Sequence, residues 1–279
     1  MSEVSEINIL VTLNSGYVGP LRVLLRSLCE SNPGVRFDVY VAHSSLRESD
    51  FKRIKSAIPD EESCRIINTY ISPDRFPGLP YSQRWPREAC YRIFAAHYLP
   101  RDLDRVLYLD PDMAVINRLD TFYKTDLQGN LMAACTHMFG FFQDLQRLRL
   151  KMSPGSVYIN SGMLLMDLER FRREQVVEDV LDYYEKNKRM IYLFDQDILN
   201  GLYHAQTLAV DTLRYNLDEK TLKIYNFMRT SKTGVVNYDW IKKNTAIIHF
   251  CSKVKPWHEG YKGKFGELFY TPFAEKIKE

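Results

Sequence analysis

Two carboxylates one residue apart close an apolar run at Val106-Leu107-Tyr108-Leu109-Asp110-Pro111-Asp112. The run has the composition of a buried strand, and the acids stand where it emerges. Side chains alternate along extended backbone, so Asp110 and Asp112 can face the same way. Pro111 fixes its own φ and disfavours helix at Asp110. The pair offers hard oxygen ligands at the carboxyl end of a strand, where α/β sheets place their ligands. Such a site suits magnesium, manganese or calcium. Asp-Pro-Asp also ends strands and starts turns without any metal, so other parts of the chain must decide.

Four segments bear on that decision. Thr12-Leu13-Asn14-Ser15-Gly16-Tyr17 ends the first apolar run with hydroxyl, amide and aromatic groups. They could read the edge of a base and stack on it, or form an ordinary polar turn. The G-x-G-x-x-G of dinucleotide folds is missing there, which argues against NAD. In Tyr158-Ile159-Asn160-Ser161-Gly162-Met163 the Asn160 amide could bind a sugar hydroxyl, and Gly162 permits close approach. Asn-Ser-Gly is equally a simple bend. Asp195-Gln196-Asp197-Ile198-Leu199-Asn200 places acids in the first turn of a helix. Capping alone accounts for them, and so does a carboxylate and an amide over a polar substrate. Ile247-Ile248-His249-Phe250-Cys251-Ser252-Lys253-Val254-Lys255-Pro256-Trp257 ends an apolar run in a potential metal ligand, followed by lysines suited to phosphate.

One chemistry joins these segments. A dication held by Asp110, Asp112 and His249 would bridge a diphosphate, with Lys255 as a second cation. Cleaving an anomeric carbon from a diphosphate puts negative charge on the leaving group, which metal and lysine would stabilise. The sugar becomes cationic, and carboxylate or amide oxygens would support it.

The elements that must position these groups alternate along the first half of the chain. Strands are expected over Ile7–Leu13, Phe37–Ala42 and Arg65–Tyr70, then up to Asp110. Between them, Pro20 opens a helix with Leu21, Leu24, Leu25 and Leu28 on one face. Ser45 and Glu48 form a capping box for a helix reaching Ala57. Ser72–Trp85 is a long Pro- and aromatic-rich loop, and Pro86 opens a helix to about Leu99. Further on, strands are read at Leu131–Cys135, Tyr158–Met166, Thr207–Asp211 and Ala246–Phe250, with helices at Leu168–Lys186 and Gln196–Tyr203. This order predicts an α/β fold with a mostly parallel, Rossmann-like sheet covered by helices on both faces.

The chain has 279 residues and a net charge of +3, too mild a balance to indicate nucleic acid. The polar start Met1–Glu6 lacks a signal-peptide plan, and no apolar run is long enough to cross a bilayer. Cys29, Cys64, Cys90, Cys135 and Cys251 are scattered and lack zinc spacing, which reads as reduced thiols in the cytoplasm. The aromatic stretch Phe265–Phe273 is read as a C-terminal segment packing on the body, with peripheral contact to a membrane's inner face as the alternative.

On Leu107–Asp112, Asn160–Leu165, Asp195–Asn200 and His249–Trp257, in that order, the chain resembles glycosyltransferase family 8 over about Ile7–Trp257. In style it is similar to the bacterial galactosyl- and glucosyltransferases of surface polysaccharide synthesis. The resemblance implies one GT-A domain over residues 1–265 with a tail at 266–279. It implies retaining transfer of a hexose from UDP-glucose or UDP-galactose to a glycan or glycolipid acceptor. The metal would be Mn2+, with Mg2+ as the alternative, on Asp110, Asp112 and His249. The donor-binding set is Thr12, Asn14, Tyr17, Arg92, Asp110, Pro111, Asn160 and Lys255, with Asp195 and Gln196 as the catalytic pair. Asn14 stands where the family often has Asp, and Ser252 where it has Gly.

Two other classes fit parts of this pattern. Haloacid-dehalogenase-like phosphatases use Asp-x-Asp after a strand, but Ala114 stands where they carry Thr or Val. A sugar-nucleotide or glycan-binding protein without turnover would keep the same residues. The acceptor is expected against Met138-Phe139-Gly140-Phe141-Phe142, and Ser72–Trp85 and Ser252–Phe265 are candidate lids.

Overall fold

The computed structural model describes residues 6–78, 86–229 and 234–277. The chain opens as β1 (Glu6–Thr12), α1 (Val18–Ser31), β2 (Arg36–His43), α2 (Glu48–Lys55) and β3 (Cys64–Tyr70). Next come α3 (Arg87–Tyr91), α4 (Ala95–Tyr98), β4 (Arg105–Leu109), β5 (Met113–Val115), α5 (Asp120–Tyr123) and β6 (Met132–Ala134). They are followed by α6 (Phe141–Arg149), β7 (Met163–Asp167), α7 (Leu168–Glu174), α8 (Val177–Asn187), α9 (Phe194–Tyr203) and β8 (Thr207–Ala209). The chain finishes with α10 (Thr212–Tyr215), α11 (Glu219–Phe227), α12 (Tyr238–Asn244), β9 (Ile247–His249) and α13 (Thr271–Ala274).

Seven strands form the main sheet in the order β3-β2-β1-β4-β7-β6-β8. Pairing is parallel except at β7, which runs antiparallel to both β4 and β6. The apolar runs alternate between two cores, as a sheet buried on both faces requires. Ile9, Val11, Leu107 and Leu109 face Leu24 and Leu28 of α1. Leu10, Val106 and Tyr108 face Phe94 and Ile198 on the other side. The expected mostly parallel sheet with helices on both faces is therefore what the chain forms.

A second, two-stranded sheet sets the site. β5 pairs antiparallel with β9, Met113 opposite His249, and the Phe250 N–H donates to the Asp112 carbonyl at 2.9 Å. Residues that are remote along the chain become cross-strand neighbours.

Several elements differ from the sequence expectation. α2 begins at Glu48 with Arg47 as its cap, and the Asp50 carboxylate accepts from the Arg47 N–H at 2.9 Å, in place of the Ser45–Glu48 box. The expected helix over Pro86–Leu99 is α3, a 3-10 turn at Arg92–Phe94 and α4. The helix expected over Leu168–Lys186 is broken between α7 and α8. The strand expected from Tyr158 starts only at Met163, so Asn160, Ser161 and Gly162 lie in irregular backbone. The loop expected at Ser72–Trp85 is described to Gly78, with Phe76 stacked on Phe94 at 4.5 Å, and residues 79–85 lie outside the described residues. Phe265, Phe269 and Tyr270 are buried beside Val23, Ile248 and Phe250, so this aromatic segment packs on the body. Among the described residues no helix is long and apolar enough to cross a membrane.

Candidate active site

Asp110, Asp112 and His249 converge. His249 Nε2 lies 3.6 Å from Asp110 Oδ2 and 3.4 Å from Asp112 Oδ1. Adjacent corners of an octahedron with bonds of about 2.0–2.6 Å are about 2.8–3.7 Å apart, so the three atoms stand at the spacing of ligands around a hard dication. A chain of hydrogen bonds decides which His249 nitrogen carries the proton. The Gly162 N–H can only donate, and it donates to Asn160 Oδ1 at 3.1 Å. That oxygen also accepts from Asn216 Nδ2 at 2.9 Å. Asn216 Oδ1 therefore faces His249 Nδ1, 2.9 Å away, and must accept its proton. In the neutral ring the Nε2 lone pair is then turned to two carboxylate oxygens. A metal ion can take the place that a proton on Nε2 would hold between them, so the residues fit a metal ion.

The Asp110 carboxylate is held from behind. Its Oδ1 accepts from the Tyr108 hydroxyl at 2.6 Å and pairs with Arg92 Nη1 at 2.8 Å, which leaves Oδ2 toward His249. Thr12 Oγ1 lies 3.3 Å from the Tyr108 hydroxyl, so Thr12 acts on Asp110 through Tyr108. Arg92 sits over the Tyr108 ring at 4.5 Å, and its Nε lies 3.3 Å from Asp195 Oδ2. One buried guanidinium thus spans the metal-site carboxylate and the expected catalytic one. Burial opposes the Arg92 charge, but Asp110 and Asp195 outweigh it and raise its pKa further. Burial pushes the Asp195 carboxyl above its usual range, and Arg92 and the Ser161 hydroxyl, 2.8 Å away, counter this only in part.

Gln196 is fixed at both ends. Its Oε1 accepts from Asn160 Nδ2 at 3.1 Å and from the Ser161 N–H at 3.3 Å. Its Nε2 donates to the Tyr158 hydroxyl at 2.9 Å, and that hydroxyl donates to Asp197 at 2.6 Å. Asp197 in turn takes both Arg149 Nη atoms at 2.7 Å. Asn200, at the far end of the same motif, caps Ile159 through both its amide atoms.

Lys255 Nζ lies 2.6 Å from Asp112 Oδ2 and 2.8 Å from the Phe250 carbonyl. Burial works to raise the Asp112 pKa, but a protonated His249 ring and Lys255 outweigh it and hold it below its usual range. Tyr17 stands near enough that burial and the Asp112 charge together push its phenol up, and its ring meets Trp257 edge-on at 6.4 Å. Asn14 Oδ1 is taken by the Gly16 N–H at 3.0 Å, which leaves the Asn14 NH2 free to donate. Ser252 uses its hydroxyl on the Val254 carbonyl at 2.7 Å, within the turn before Lys255. Thr12, Asn14, Tyr17, Arg92, Pro111, Asn160, Asp195, Gln196, Lys255 and the three metal-site residues all line one cleft of about 1160 Å³. The expected residues are therefore brought together at one place.

Other residues of the site carried no sequence signal. Asn216 sets the His249 tautomer, yet it lies in a stretch without periodicity or motif. His137 lines the same cleft and donates from Nε2 to the Asn216 carbonyl at 2.7 Å, and burial lowers its pKa against the opposing charge of Asp218. Tyr158 and Asp197 fell within quoted motifs, but their joint role depends on Arg149, contributed by α6. A second grouping, His137, His249 and Cys251, shares His249 with the first and is not independent of it.

Residues 8–260 match the family described as Glycosyl transferase family 8. A lipopolysaccharide 1,2-glucosyltransferase of Escherichia coli (strain K12) is 24% identical over 91% of this chain and 73% of its own. A lipopolysaccharide 1,3-galactosyltransferase of Salmonella typhimurium (strain LT2) is 24% identical over 92% of this chain and 74% of its own. Glycosyltransferase GlyF of Streptococcus pneumoniae serotype 4 is 25% identical over 95% of this chain, which spans 60% of its length. Among solved structures, galactosyltransferase LgtC in complex with donor and acceptor sugar analogues superimposes with a TM-score of 0.80. It is 25% identical, over 98% of this chain and 97% of its own. The fold is the GT-A fold that the motifs implied, and the phosphatase alternative falls away. On fold and on sequence, the chain belongs to glycosyltransferase family 8.

Proposed function

We propose that this protein transfers a hexose, glucose or galactose, from a UDP-sugar to a glycan or glycolipid acceptor, with retention at the anomeric carbon. It does so with a divalent ion, manganese or in its place magnesium, as one transferase unit over residues 1–265 with the segment 266–279 packed on it. It works in the cytoplasm at the inner face of the membrane. The named activities of the relatives support the hexose and the acceptor class. The observation that carries the reading is the meeting of Asp110 Oδ2, Asp112 Oδ1 and His249 Nε2 in the cleft.

Asp110, Asp112 and His249 hold the ion, which when bound neutralises the diphosphate and its leaving-group charge. Lys255 exchanges its contact with Asp112 for a phosphate oxygen. Asn14 donates to the uracil edge, and Tyr17 stacks on the ring. Asn160 binds a sugar hydroxyl, while Arg92 keeps Asp110 and Asp195 in one arrangement. Asp195 and Gln196 support the cationic sugar electrostatically. Gln196 Oε1 already accepts two hydrogen bonds, and Asp195 is engaged by Ser161 and Arg92. The Gln196 amide oxygen is thus not a free nucleophile, and Asp195 has its Oδ2 tied to Ser161 and Arg92; we favour front-face attack, with the departing phosphate oxygen taking the acceptor's proton, over a double displacement.

Calorimetric titration of UDP with and without manganese tests this. Asp110→Ala or Asp112→Ala should remove the metal-dependent part of the affinity, a loss of about 100-fold. Equal UDP affinity with and without manganese in the wild type would overturn the reading. Release of UDP from UDP-glucose or UDP-galactose without acceptor separates an enzyme from a binding protein that lacks turnover.

A further inference from the structure

Helix α6 is turned inside out. Phe141, Phe142, Leu145 and Leu148 are 69%, 65%, 42% and 78% exposed, while Gln143 is 8% exposed. At 100° per residue Phe141, Leu145 and Leu148 share one stripe and Phe142 flanks it. The buried side is polar and fully used. Gln143 Nε2 donates to Thr136 Oγ1 and to the Met138 and Tyr158 carbonyls, and its Oε1 accepts from the Tyr158 N–H. Arg147 donates to the Ser156 carbonyl at 3.1 Å, and Arg149 is clamped to Asp197 and to the Met190 carbonyl. The helix is thus fixed by polar bonds, and its apolar face stays exposed among the described residues.

The exposed surface continues past α6. Tyr192, with the Arg149 guanidinium over its ring at 4.8 Å, is exposed beside it. Phe227 is 89% exposed and Met228 is exposed at the end of α11. Phe141, Phe142, Ile224 and Met228 line the same cleft, so α6 and the end of α11 both bring apolar side chains to it. Acids near the rim are neutralised, Asp144 by Arg147 and Glu219 by Lys223. Lys151, directly after α6, and Lys220, at the cleft, have no ion-pair partner among the described residues and are exposed.

We propose that the outward face of α6 and the end of α11 dock on an anionic lipid bilayer. Aromatic and leucine side chains with lysines beside them are what an anionic interface takes up. A bilayer offers apolar chains and anionic headgroups together, and an acceptor rooted in that lipid would reach the cleft lined by Phe141, Phe142 and Met228. The docking stands on the surface alone. That the docked cleft meets a lipid-linked glycan rests on the transferase reading.

Flotation of the full chain with vesicles of phosphatidylcholine, with or without phosphatidylglycerol, tests it. Binding should require phosphatidylglycerol and weaken with salt. Leu145→Ser with Leu148→Ser, both outside the cleft lining, should lower vesicle binding on the order of tenfold and leave UDP-sugar hydrolysis in free solution unchanged. Equal binding to both vesicle types, no binding to either, or a double variant that binds like the wild type would each overturn the proposal. So would a concentration-dependent dimer in sedimentation that the double variant abolishes, which would give the face to a second copy. Vesicle binding retained without turnover of any UDP-sugar would sink the transferase reading and leave the docking intact.

Discussion

A methyl group on Gly162 would lie 2.5 Å from His249 Cε1 and 2.7 Å from Asp110 Oδ2. Neither neighbour can retreat easily. His249 is held through Nδ1 by Asn216, and Asp110 by Tyr108 and Arg92. Gly162 therefore forms the floor beneath Asp110 and His249, and the lack of a side chain there sets how closely carboxylate and imidazole approach. Gly162→Ala should weaken the manganese-dependent part of UDP binding by about tenfold or more and leave metal-free binding unchanged. Titration calorimetry reads both, and wild-type affinity in the alanine variant would show that the three ligands can spread at no cost.

Asn216 makes a separate prediction. By accepting the Nδ1 proton it keeps the His249 Nε2 lone pair toward the carboxylates. Asn216→Leu removes the acceptor, so the imidazole can place its proton on Nε2 and bond a carboxylate instead. Metal affinity should fall about 10–100-fold. Asn216→Asp keeps an acceptor for Nδ1 but loses the donor to Asn160, so it should recover part of the loss. Manganese titration followed by its paramagnetic signal measures all three proteins, and equal affinities would remove Asn216 from the site.

Tyr158 ties Gln196 to the Asp197 cluster through a hydroxyl that accepts from one and donates to the other. Tyr158→Phe keeps the buried ring and removes that link. The expected cost in stability is about 1–2 kcal/mol, the range for a lost buried hydrogen bond. If Gln196 supports the cationic sugar, kcat should fall about tenfold while the UDP dissociation constant stays in place. An equal loss in both would assign Tyr158 to folding alone.

What could be read from the sequence followed the reach of each signal. The apolar runs at Ile7, Phe37 and Val106 are buried on both faces, so their composition alone announces β1, β2 and β4. Asp110, Asp112 and His249 were legible as a group because they stand at or just past the ends of apolar runs. Their geometry was not, since β5 and β9 pair across most of the chain and three-residue strands have no periodicity to detect. α6 was hidden for the opposite reason. Its leucines and phenylalanines point to solvent and Gln143 inward, so a rule that assigns apolar residues to the core misplaces it. Asn216 acts through one side-chain oxygen in a chain of amides, and only coordinates reveal that.

Asp197 links α6 to α9, and its charge should be visible in acid. Its carboxylate is buried and accepts from Arg149, from the Tyr158 hydroxyl at 2.6 Å, and from the N–H groups of Tyr192 at 2.7 Å and Leu193 at 3.0 Å. Burial acts to raise its pKa, but Arg149, Tyr158 and the two N–H groups outweigh it and hold the group below its usual 3.8. In the unfolded chain an aspartate titrates near pH 3.9, roughly its free value. Between the folded and unfolded pKa values the unfolded state binds more protons, so stability rises with pH there. The contribution is complete above about pH 5 and is lost as pH falls through the folded pKa. Asp197→Asn should therefore cost about 3–5 kcal/mol at pH 7, because it also leaves the Arg149 charge buried without a counter-charge. The gap between wild type and variant should narrow as pH drops below about 4. Urea unfolding of both proteins at neutral and acid pH measures it, and a gap independent of pH would mean that Asp197 is not held as an ion in the folded protein.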